Sequence, residues 1–298
     1  MTAYDIIIVG AGPAGLTAAV YARRAAKSVL VLEAAACGGQ IINTPDIENY
    51  PVAPHISGFE FATRLYEQAK ALGAEVRFEK VLEIRDGKQV VTAKNTYACR
   101  AVILATGSVP RKLGVEGEDD LIGKGISYCA TCDGAFYRGK TVAVVGGGNT
   151  ALEDALYLSA LAEKVYLIHR RDTFRADGAA VEKAAARDNI ELVPNSTVTA
   201  LHAAERLQSI EVTDNAGAKQ TLSIDGLFVA VGRVPAAAAT DLPIRRDEAG
   251  YIVAGENCRT DVPGIFVAGD VRTKEVRQLV TAAADGAVAA TAAVRYLG

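Results

Sequence analysis

The chain has 298 residues, of which 50% are hydrophobic and 22% charged, and its formal net charge is −3. A chain of this length is longer than a domain with one hydrophobic core usually is, so we expect two domains. The composition is that of a soluble globular protein and excludes intrinsic disorder. The slightly acidic balance, without a long basic run, argues against a nucleic-acid partner, and no apolar run reaches membrane-spanning length. No signal peptide is recognisable and the five cysteines are scattered, so we expect a cytoplasmic protein in a reducing compartment.

The first part of the chain carries a dinucleotide-binding fingerprint. Residues 5–33 predict a buried strand, a G-x-G-x-x-G turn, a helix and a second strand that ends at Glu33. Gly10 permits the tight turn, Gly12 lets the backbone approach a pyrophosphate, and Gly15 lets the helix pack on the sheet. Phosphates then bind at the helix N-terminus, and the Glu33 carboxylate accepts hydrogen bonds from ribose hydroxyls. The flanking strands and the acid make this motif far more specific than three glycines alone.

After this fingerprint the chain alternates between turns and regular elements. Residues 37–60 are rich in turn formers and predict a loop. The sequence then predicts an amphipathic helix over 58–72, a hairpin turn at Asp86-Gly87, and strands over 74–78, 80–85, 89–94 and 101–107. A last strand over 264–270 and a long alanine-rich helix from about Arg277 complete the chain.

A C-x-x-C pair, Cys129 and Cys132, follows a segment rich in glycine and acidic residues. The pair has three interpretations: a redox disulfide, half of a zinc site, or two packed small hydrophobic residues. Zinc requires a second close pair of ligands, which the sequence lacks, so we expect no metal site. The packing interpretation stays open for the pair alone. Nucleotide-binding fingerprints on both sides of the pair favour the redox disulfide.

Residues 141–169 repeat residues 5–33 without a gap. They predict the same strand, glycine turn, helix and second strand, with His169 at the position of Glu33. Residues 105–110 and 230–235 form a second pair of matching segments. Two copies of one nucleotide-binding architecture therefore make up most of the chain, which predicts an α/β fold with two Rossmann-like, three-layer domains.

The two copies differ at the position that selects the nucleotide. Glu33 suits the free ribose of FAD or NAD, whereas the second copy offers His169, Arg170, Arg171 and, nearby, Arg175. Guanidinium groups bind a 2′-phosphate by bidentate, charge-assisted hydrogen bonds, while a carboxylate would repel it. The second copy therefore predicts an NADP(H) site, with a solvated basic strand end as the alternative. Two nucleotide sites and a dithiol indicate an electron relay from a nicotinamide through a flavin to a disulfide.

Taken together, these motifs resemble those of the bacterial low-molecular-weight thioredoxin reductases over essentially the whole chain. The resemblance rests on Cys129-Ala-Thr-Cys-Asp-Gly, the second glycine turn, His-Arg-Arg-x-x-x-Arg and the C-terminal Gly-Asp…Arg-Gln. It implies NADPH-dependent reduction of thioredoxin, or of a similar small dithiol protein, by a homodimer. It also implies an NADP-binding domain over 114–243, which carries the redox pair, inserted into a discontinuous FAD-binding domain formed by 1–113 and 244–298.

The resemblance also implies roles for individual residues. Cys129 and Cys132 would form the redox disulfide, with Asp133 as the acid–base group; a cap of the adjacent turn is the alternative role for Asp133. NADP contacts are implied for Gly146, Gly148, Asn149, Thr150, His169, Arg170, Arg171, Arg175 and Gly232. FAD contacts are implied for Gly10, Gly12, Pro13, Ala14, Gly15, Glu33, Gly39, Gln40, Asn49, Val81, Ala105, Gly107, Gly269, Asp270, Arg277, Gln278 and Leu279. Asn149-Thr150 departs from the Asp-Ser usual in the family, and no Asn follows Pro235.

Two other functions stay open at this point. A same-fold flavin enzyme with another electron route, either a ferredoxin-linked reductase or a dithiol oxidase, would tend to lose the second glycine turn and the arginines, which this chain keeps. A non-catalytic NADP-binding redox sensor would not require a complete FAD site. Cys37 has no basic neighbour in sequence, so we expect it to be a passive thiol.

Overall fold

The computed structural model describes residues 3–298 of the chain except 45, 48, 54, 86–88, 237–239 and 241. The chain divides into two compact units: unit 1 combines Met1–Val109 with Val234–Gly298, and unit 2 is Pro110–Arg233. The second unit is thus an insertion in the first. The domain limits that the resemblance implied, 113/114 and 243/244, lie a few residues further along the chain than these unit boundaries.

The regular elements alternate between strands and helices. The strands are β1 (Ala3–Val9), β2 (Val29–Glu33), β3 (Glu75–Phe78), β4 (Val81–Arg85), β5 (Gln89–Thr92), β6 (Thr96–Leu104), β7 (Ser108–Pro110), β8 (Ile126–Ser127), β9 (Thr141–Val145), β10 (Lys164–Ile168), β11 (Ile190–Val193), β12 (Ser196–Ala203), β13 (Leu207–Asp214), β14 (Lys219–Ser223), β15 (Gly226–Val229), β16 (Arg233–Pro235) and β17 (Ile265–Val267). The helices are α1 (Pro13–Arg24), α2 (Gly58–Ala71), α3 (Ala130–Asp133), α4 (Asn149–Ser159), α5 (Gly178–Ala185) and α6 (Leu279–Leu297). The helix predicted over 58–72 is confirmed, and β4 and β5 pair antiparallel as expected. The hairpin turn predicted at Asp86-Gly87 lies outside the described residues.

Unit 1 is built on a mixed sheet with strand order β3-β2-β1-β6-β5-β4, in which β17 also pairs with β6. The central strand β1 is parallel to both β2 and β6. Its side chains alternate between two cores: Ile6 and Ile8 pack with residues of α1 and α6, whereas Ile7 and Val9 pack on the opposite face. Both faces of this strand are therefore buried, which accounts for its continuous run of apolar residues.

Helices α1 and α6 pack closely because small residues line their contact. A Cβ atom on Gly286 would lie 2.2 Å from the Ala14 carbonyl oxygen, so only glycine fits at this point of α6. The buried alanines Ala18, Ala289 and Ala293 belong to the same core. This close approach places the first turns of α1 against the middle of α6.

Unit 2 repeats the central part of unit 1 and adds a second sheet. Its parallel sheet has the order β11-β10-β9-β15-β8, and β12, β13 and β14 form a separate antiparallel sheet. Strand β9, α4 and β10 correspond to β1, α1 and β2 of unit 1, with β15 in the place of β6. The predicted repetition of one α/β architecture is therefore confirmed.

The connecting strands β7 and β16 pair with each other as a two-stranded sheet. No helix among the described residues is long and apolar enough to cross a membrane.

Candidate active site

The glycine turn of unit 1 joins the end of β1 to the start of α1. Gly10 has φ +106°, and a Cβ atom there would lie 2.4 Å from the Ala105 carbonyl oxygen; on Gly15 it would lie 1.9 Å from the Gly10 carbonyl oxygen. Both positions therefore require glycine for close backbone packing. By contrast, a Cβ atom on Gly12 would meet no atom within 4 Å. The helix N-terminus beside Gly12 consequently faces open space, as a bound pyrophosphate requires.

Three other segments converge on this turn. The Glu33 carboxylate accepts a hydrogen bond from the Ala11 backbone N–H over 2.7 Å, so the end of β2 lies beside the turn. The Gly38 N–H donates to the Ala11 carbonyl oxygen over 2.8 Å, and a Cβ atom on Gly39 would lie 3.4 Å from the Gly12 Cα. The predicted residues Gly39 and Glu33 are thus brought together with the first glycine turn.

The turn after β17 reaches the same place and is held by a buried cluster of charges. A Cβ atom on Gly269 would lie 2.9 Å from the Ala14 Cβ, so this turn contacts the first turn of α1. The Asp285 carboxylate accepts hydrogen bonds from the Gly269 N–H at 2.9 Å, from Arg272 at 2.7 and 2.8 Å, and from Lys274 at 2.9 Å. Asp285 therefore fixes the backbone beside the predicted FAD ligand Asp270.

The fit of this region to a flavin nucleotide can be tested on its polar atoms. The Thr106 Oγ1 and the Arg277 Nε are buried and lack a hydrogen-bond partner among the described residues, and such atoms fit contacts to a polar ligand. The Arg277 guanidinium lies over the Tyr251 ring, 4.3 Å from its centroid, and this contact fixes its position. The glycine cradle, the carboxylate at the end of β2 and these unsatisfied atoms fit a dinucleotide.

The remaining predicted FAD residues of unit 1 occupy separate places. The Asn49 amide donates to the Gln278 side-chain oxygen over 3.2 Å, and the Gln40 amide donates to the Ser108 carbonyl oxygen. Val81 begins β4 and packs against the sheet core, rather than at the glycine turn. Pro13 and Ala14 begin α1, Ala105 and Gly107 follow β6, and Leu279 begins α6.

The glycine turn of unit 2 has the same construction. A Cβ atom on Gly146 would lie 2.4 Å from the Ala230 carbonyl oxygen, as on Gly10 it would approach Ala105, whereas a Cβ atom on Gly148 would meet nothing within 4 Å. Gly148 is the N-cap of α4, whose first residues are Asn149 and Thr150. This helix N-terminus is therefore a second place where a phosphate group fits.

His169 lies at the end of β10, against the second glycine turn. Its ring would lie within 2.5 Å of a Cβ atom on Gly147, and it stacks on Phe174 with the ring centroids 5.1 Å apart. Burial lowers the pKa of His169, and the nearby positive charges of Arg175, Arg170 and Arg171 lower it further. The imidazole is therefore neutral at neutral pH and buried beside exposed cations.

The three arginines of this loop are exposed and close to the turn. The Arg175 N–H donates to the Gly147 carbonyl oxygen over 2.7 Å, which fixes the loop against the glycine turn. None of Arg170, Arg171 and Arg175 forms an ion pair with a carboxylate in the described part of the chain. A concentration of uncompensated guanidinium groups beside a helix N-terminus fits a 2′-phosphate better than a free ribose. The carbonyl oxygen of Gly232 accepts a hydrogen bond from the Arg111 backbone N–H.

The C-x-x-C pair forms a disulfide bond, with an Sγ–Sγ distance of 2.07 Å and the two Cα atoms 5.3 Å apart. Cys129 caps the four-residue helix α3, and the Asp133 N–H donates to the Cys129 carbonyl oxygen over 3.1 Å. The side chain of Asp133 turns inward, and burial raises its pKa. The Ser127 hydroxyl donates to the Asp133 carboxylate over 2.6 Å, which opposes this rise. The carboxylate of Asp133 thus contacts the Ser127 side chain, and burial shifts its pKa upward.

Sequence reasoning did not identify several of these residues. Ser127 and Asp285 each act through partners distant in the sequence or through burial, and no motif marks them. Glu118 is buried and accepts hydrogen bonds from the Leu113 and Gly114 N–H groups. It also accepts one from the hydroxyl of Tyr128, the residue immediately before Cys129. The presence of Glu118 in an acid-rich segment gave no signal of this role. The expectation of a passive Cys37 agrees with burial, which raises its pKa to about 11.

Comparison with known proteins gives one consistent result. The family model of pyridine nucleotide-disulphide oxidoreductases matches residues 4–286. The thioredoxin reductase of Treponema pallidum is 45% identical over 302 residues, covering 99% of this chain and 98% of that protein. The thioredoxin reductase of Bacillus subtilis is 42% identical over 299 residues, covering 99% and 95%.

A solved structure extends this similarity to three dimensions. The crystal structure of thioredoxin reductase from Streptococcus pyogenes matches with a TM-score of 0.92 and 41% identity, covering 99% of this chain and 98% of that chain. The chain therefore belongs to the pyridine nucleotide-disulphide oxidoreductase family and, within it, to the thioredoxin reductases.

Proposed function

We propose that the protein is an NADPH-dependent thioredoxin-disulfide reductase that passes electrons from NADPH through FAD to the Cys129–Cys132 disulfide and on to thioredoxin. The observation that carries this proposal is the disulfide itself, set beside a half-buried carboxyl group in a chain with two dinucleotide-type glycine turns. Membership of the thioredoxin reductases supports the identity of the final acceptor.

Unit 1 is the proposed FAD site. The open face of Gly12 receives the pyrophosphate, and the Glu33 carboxylate, already beside the turn, accepts hydrogen bonds from the ribose. Bound FAD supplies the two-electron carrier between the nicotinamide and the disulfide. The buried cluster around Asp285 keeps the turn at Gly269 and Asp270 in place.

Unit 2 is the proposed NADPH site. The N-terminus of α4 at Gly148 receives the pyrophosphate, and Arg170, Arg171 and Arg175 bind the 2′-phosphate. Buried His169 stacks on Phe174 in the same loop as these arginines. The absence of a carboxylate at the end of β10 removes the repulsion that Glu33 would exert on a phosphate at that position.

The redox pair of unit 2 completes the relay. The reduced pair attacks the disulfide of thioredoxin, or of a similar small dithiol protein, through a mixed disulfide, and the Cys129–Cys132 bond re-forms as the partner leaves as a dithiol. Asp133 takes the proton of the remaining thiol of the pair and passes it to the partner sulfur that leaves, and water supplies the second proton of the partner dithiol. Burial, which raises the pKa of Asp133, suits the carboxyl group to this transfer.

We infer further that the protein is a cytoplasmic homodimer without nucleic-acid or membrane partners. The resemblance to the bacterial reductases supports the dimer, and the net charge of −3 without a basic run supports the absence of nucleic acid. The thiol groups of Cys37 and Cys258, whose pKa values burial raises, fit a reducing compartment. Sedimentation equilibrium at several protein concentrations tests the dimer.

Stopped-flow absorbance tests the relay. NADPH is expected to bleach the flavin rapidly, and added thioredoxin to restore the oxidised spectrum with turnover. In the C132S variant we expect flavin reduction by NADPH to survive and thioredoxin reduction to be lost. Turnover of thioredoxin by C132S would contradict the role of the pair. Bleaching without protein-disulfide turnover in the wild type would favour an oxidase or a sensor, and absence of bleaching would favour a ferredoxin-linked route.

A further inference from the structure

Ser127 is a buried serine at the end of β8, two residues before Cys129. Its Oγ lies 2.6 Å from the Asp133 Oδ2, 3.1 Å from the Cys129 backbone nitrogen and 3.3 Å from the Cys129 carbonyl oxygen. A hydroxyl group has one proton to donate, and of the two acceptors within reach the Asp133 carboxylate is closer and stronger than the Cys129 carbonyl oxygen. The hydroxyl therefore donates to Asp133 and accepts from the Cys129 N–H, so its orientation is fixed.

The two carboxyl oxygens of Asp133 have different surroundings. Oδ2 is held by the Ser127 hydroxyl, whereas Oδ1 is buried and has no hydrogen-bond partner among the described residues. A buried polar atom without a partner in a native fold calls for an explanation, and a role in catalysis is one of the recognised ones. The carboxyl group is thus anchored through one oxygen, and the other is available for proton exchange.

We propose that Ser127 is a positioning residue for the thiol–disulfide step, which anchors Asp133 through Oδ2 so that Oδ1 is the atom that exchanges a proton with the redox sulfurs. This inference rests on the proposed function, which supplies the electrons. Bound NADPH and FAD would supply two electrons, and reduction of the Cys129–Cys132 bond would leave two thiolates. Protonated Asp133 then gives its proton from Oδ1 to one sulfur, which leaves one thiol, one thiolate and a carboxylate stabilised by Ser127.

Other titratable groups lie near Asp133 and must be separated from it. Tyr137, in the turn that follows α3, has a pKa raised by burial, with Arg206 opposing and Asp133 adding to the rise. Asp154 lies on α4, which packs against α3, and burial raises its pKa to about 7. Because Asp154 titrates in the neutral range, the pH dependence of activity alone does not identify Asp133. The experiment therefore needs variants of both hydrogen-bonding partners.

The test compares S127A, D133N and the double variant S127A/D133N in the FAD-loaded protein. Removal of the serine hydroxyl withdraws a hydrogen bond from the charged carboxylate, so we expect the pKa of Asp133 to rise by about one pH unit. The alkaline limb of the pH profile for thioredoxin reduction moves up by the same amount. The infrared difference between wild type and D133N isolates the carboxyl C=O stretching band of Asp133, and the difference between S127A and S127A/D133N isolates the same band without the serine hydroxyl. We expect the band to titrate at a correspondingly higher pH in the second difference spectrum.

S159A is the matched control. Ser159 is also a buried serine of unit 2, but its hydroxyl donates to the Leu156 carbonyl oxygen within α4. We expect the pH profile of S159A to match that of the wild type. Since Ser127 acts through Asp133, S127A should also leave the rate of D133N unchanged.

Two results would overturn the inference. One is an infrared band and an alkaline limb that titrate in S127A at the wild-type pH. The other is that S127A lowers the rate of D133N by the same factor as it lowers the rate of the wild type. A wild type that does not reduce thioredoxin would instead refute the proposed function, and the infrared titration of the oxidised protein would still test the contact between Ser127 and Asp133.

Discussion

The buried ion cluster around Asp285 supports a quantitative prediction about stability. Asp285 and Arg272 are 6% and 8% exposed, and the side chain of Lys274 is also buried. The substitution D285N keeps the size of the side chain but leaves two buried cations without a counter-charge. Removing one partner of a buried ion pair costs about 3–5 kcal/mol. We therefore expect D285N to lower the free energy of unfolding by at least about 3 kcal/mol and the midpoint temperature by at least about 6 °C.

The pH dependence of this difference follows from the pKa of Asp285. Burial by itself would raise the pKa, but hydrogen bonds from Arg272 and Lys274 outweigh it, so the pKa lies below its ordinary value. A carboxyl group with a lowered pKa in the folded state stabilises the fold above its unfolded pKa of about 3.9, and this contribution is lost as the pH falls through the folded pKa. The stability difference between wild type and D285N should accordingly be constant near neutral pH and become smaller in acid.

Urea unfolding in excess FAD, followed by circular dichroism, measures the effect at constant ligand saturation. The control is E60Q, which breaks an exposed i,i+4 ion pair between Glu60 and Arg64 at 2.6 Å. Exposed helix pairs contribute about 0.3–0.5 kcal/mol, so E60Q should be nearly neutral. A D285N protein as stable as E60Q, or a difference between wild type and D285N that grows as the pH falls, would refute the reasoning.

Three further predictions concern the nucleotide sites and a buried thiol. R170A/R171A should raise the KM for NADPH on the order of 100-fold, at about 1.5 kcal/mol per exposed guanidinium, and leave the KM for NADH unchanged. An equal rise in both KM values would contradict a 2′-phosphate site. G12A should fold normally and weaken FAD binding at least about tenfold in a fluorescence titration, because the new Cβ meets no protein atom. G15A should destabilise the apoprotein, because the new Cβ at this position would meet the Gly10 carbonyl group. Cys258 is fully buried and its pKa is raised to about 11, so iodoacetamide should modify it only after unfolding; mass spectrometry showing rapid native modification would exclude this environment.

The repeated α/β framework could be predicted from the sequence because its signals are local. An apolar run, a glycine turn and a helix in immediate succession specify β1 and α1, and the same pattern specifies β9 and α4. The C-x-x-C motif likewise marked the redox pair without any structural information. In each case the residues that determine the conformation lie within a few positions of one another.

The contacts that tune the site could not be predicted, because they depend on distant pairings. Asp285 meets Gly269 only after α6 folds back on the turn that follows β17. The role of Ser127 depends on the short helix α3, which turns the carboxylate of Asp133 inward. Glu118 accepts a hydrogen bond from Tyr128 across a loop whose conformation no pattern in the sequence specifies. Burial and tertiary packing decide these contacts.

The two glycine turns share a backbone design but end in different side chains. In unit 1, Gly10 lies against the carbonyl oxygen of Ala105, which follows β6. In unit 2, Gly146 lies in the same way against the carbonyl oxygen of Ala230, which follows β15. This backbone contact is independent of the residue at the tip of the next strand, where Glu33 and His169 differ. The residue at the end of that strand can therefore differ between the units without any change in the backbone contact that shapes each phosphate-binding turn.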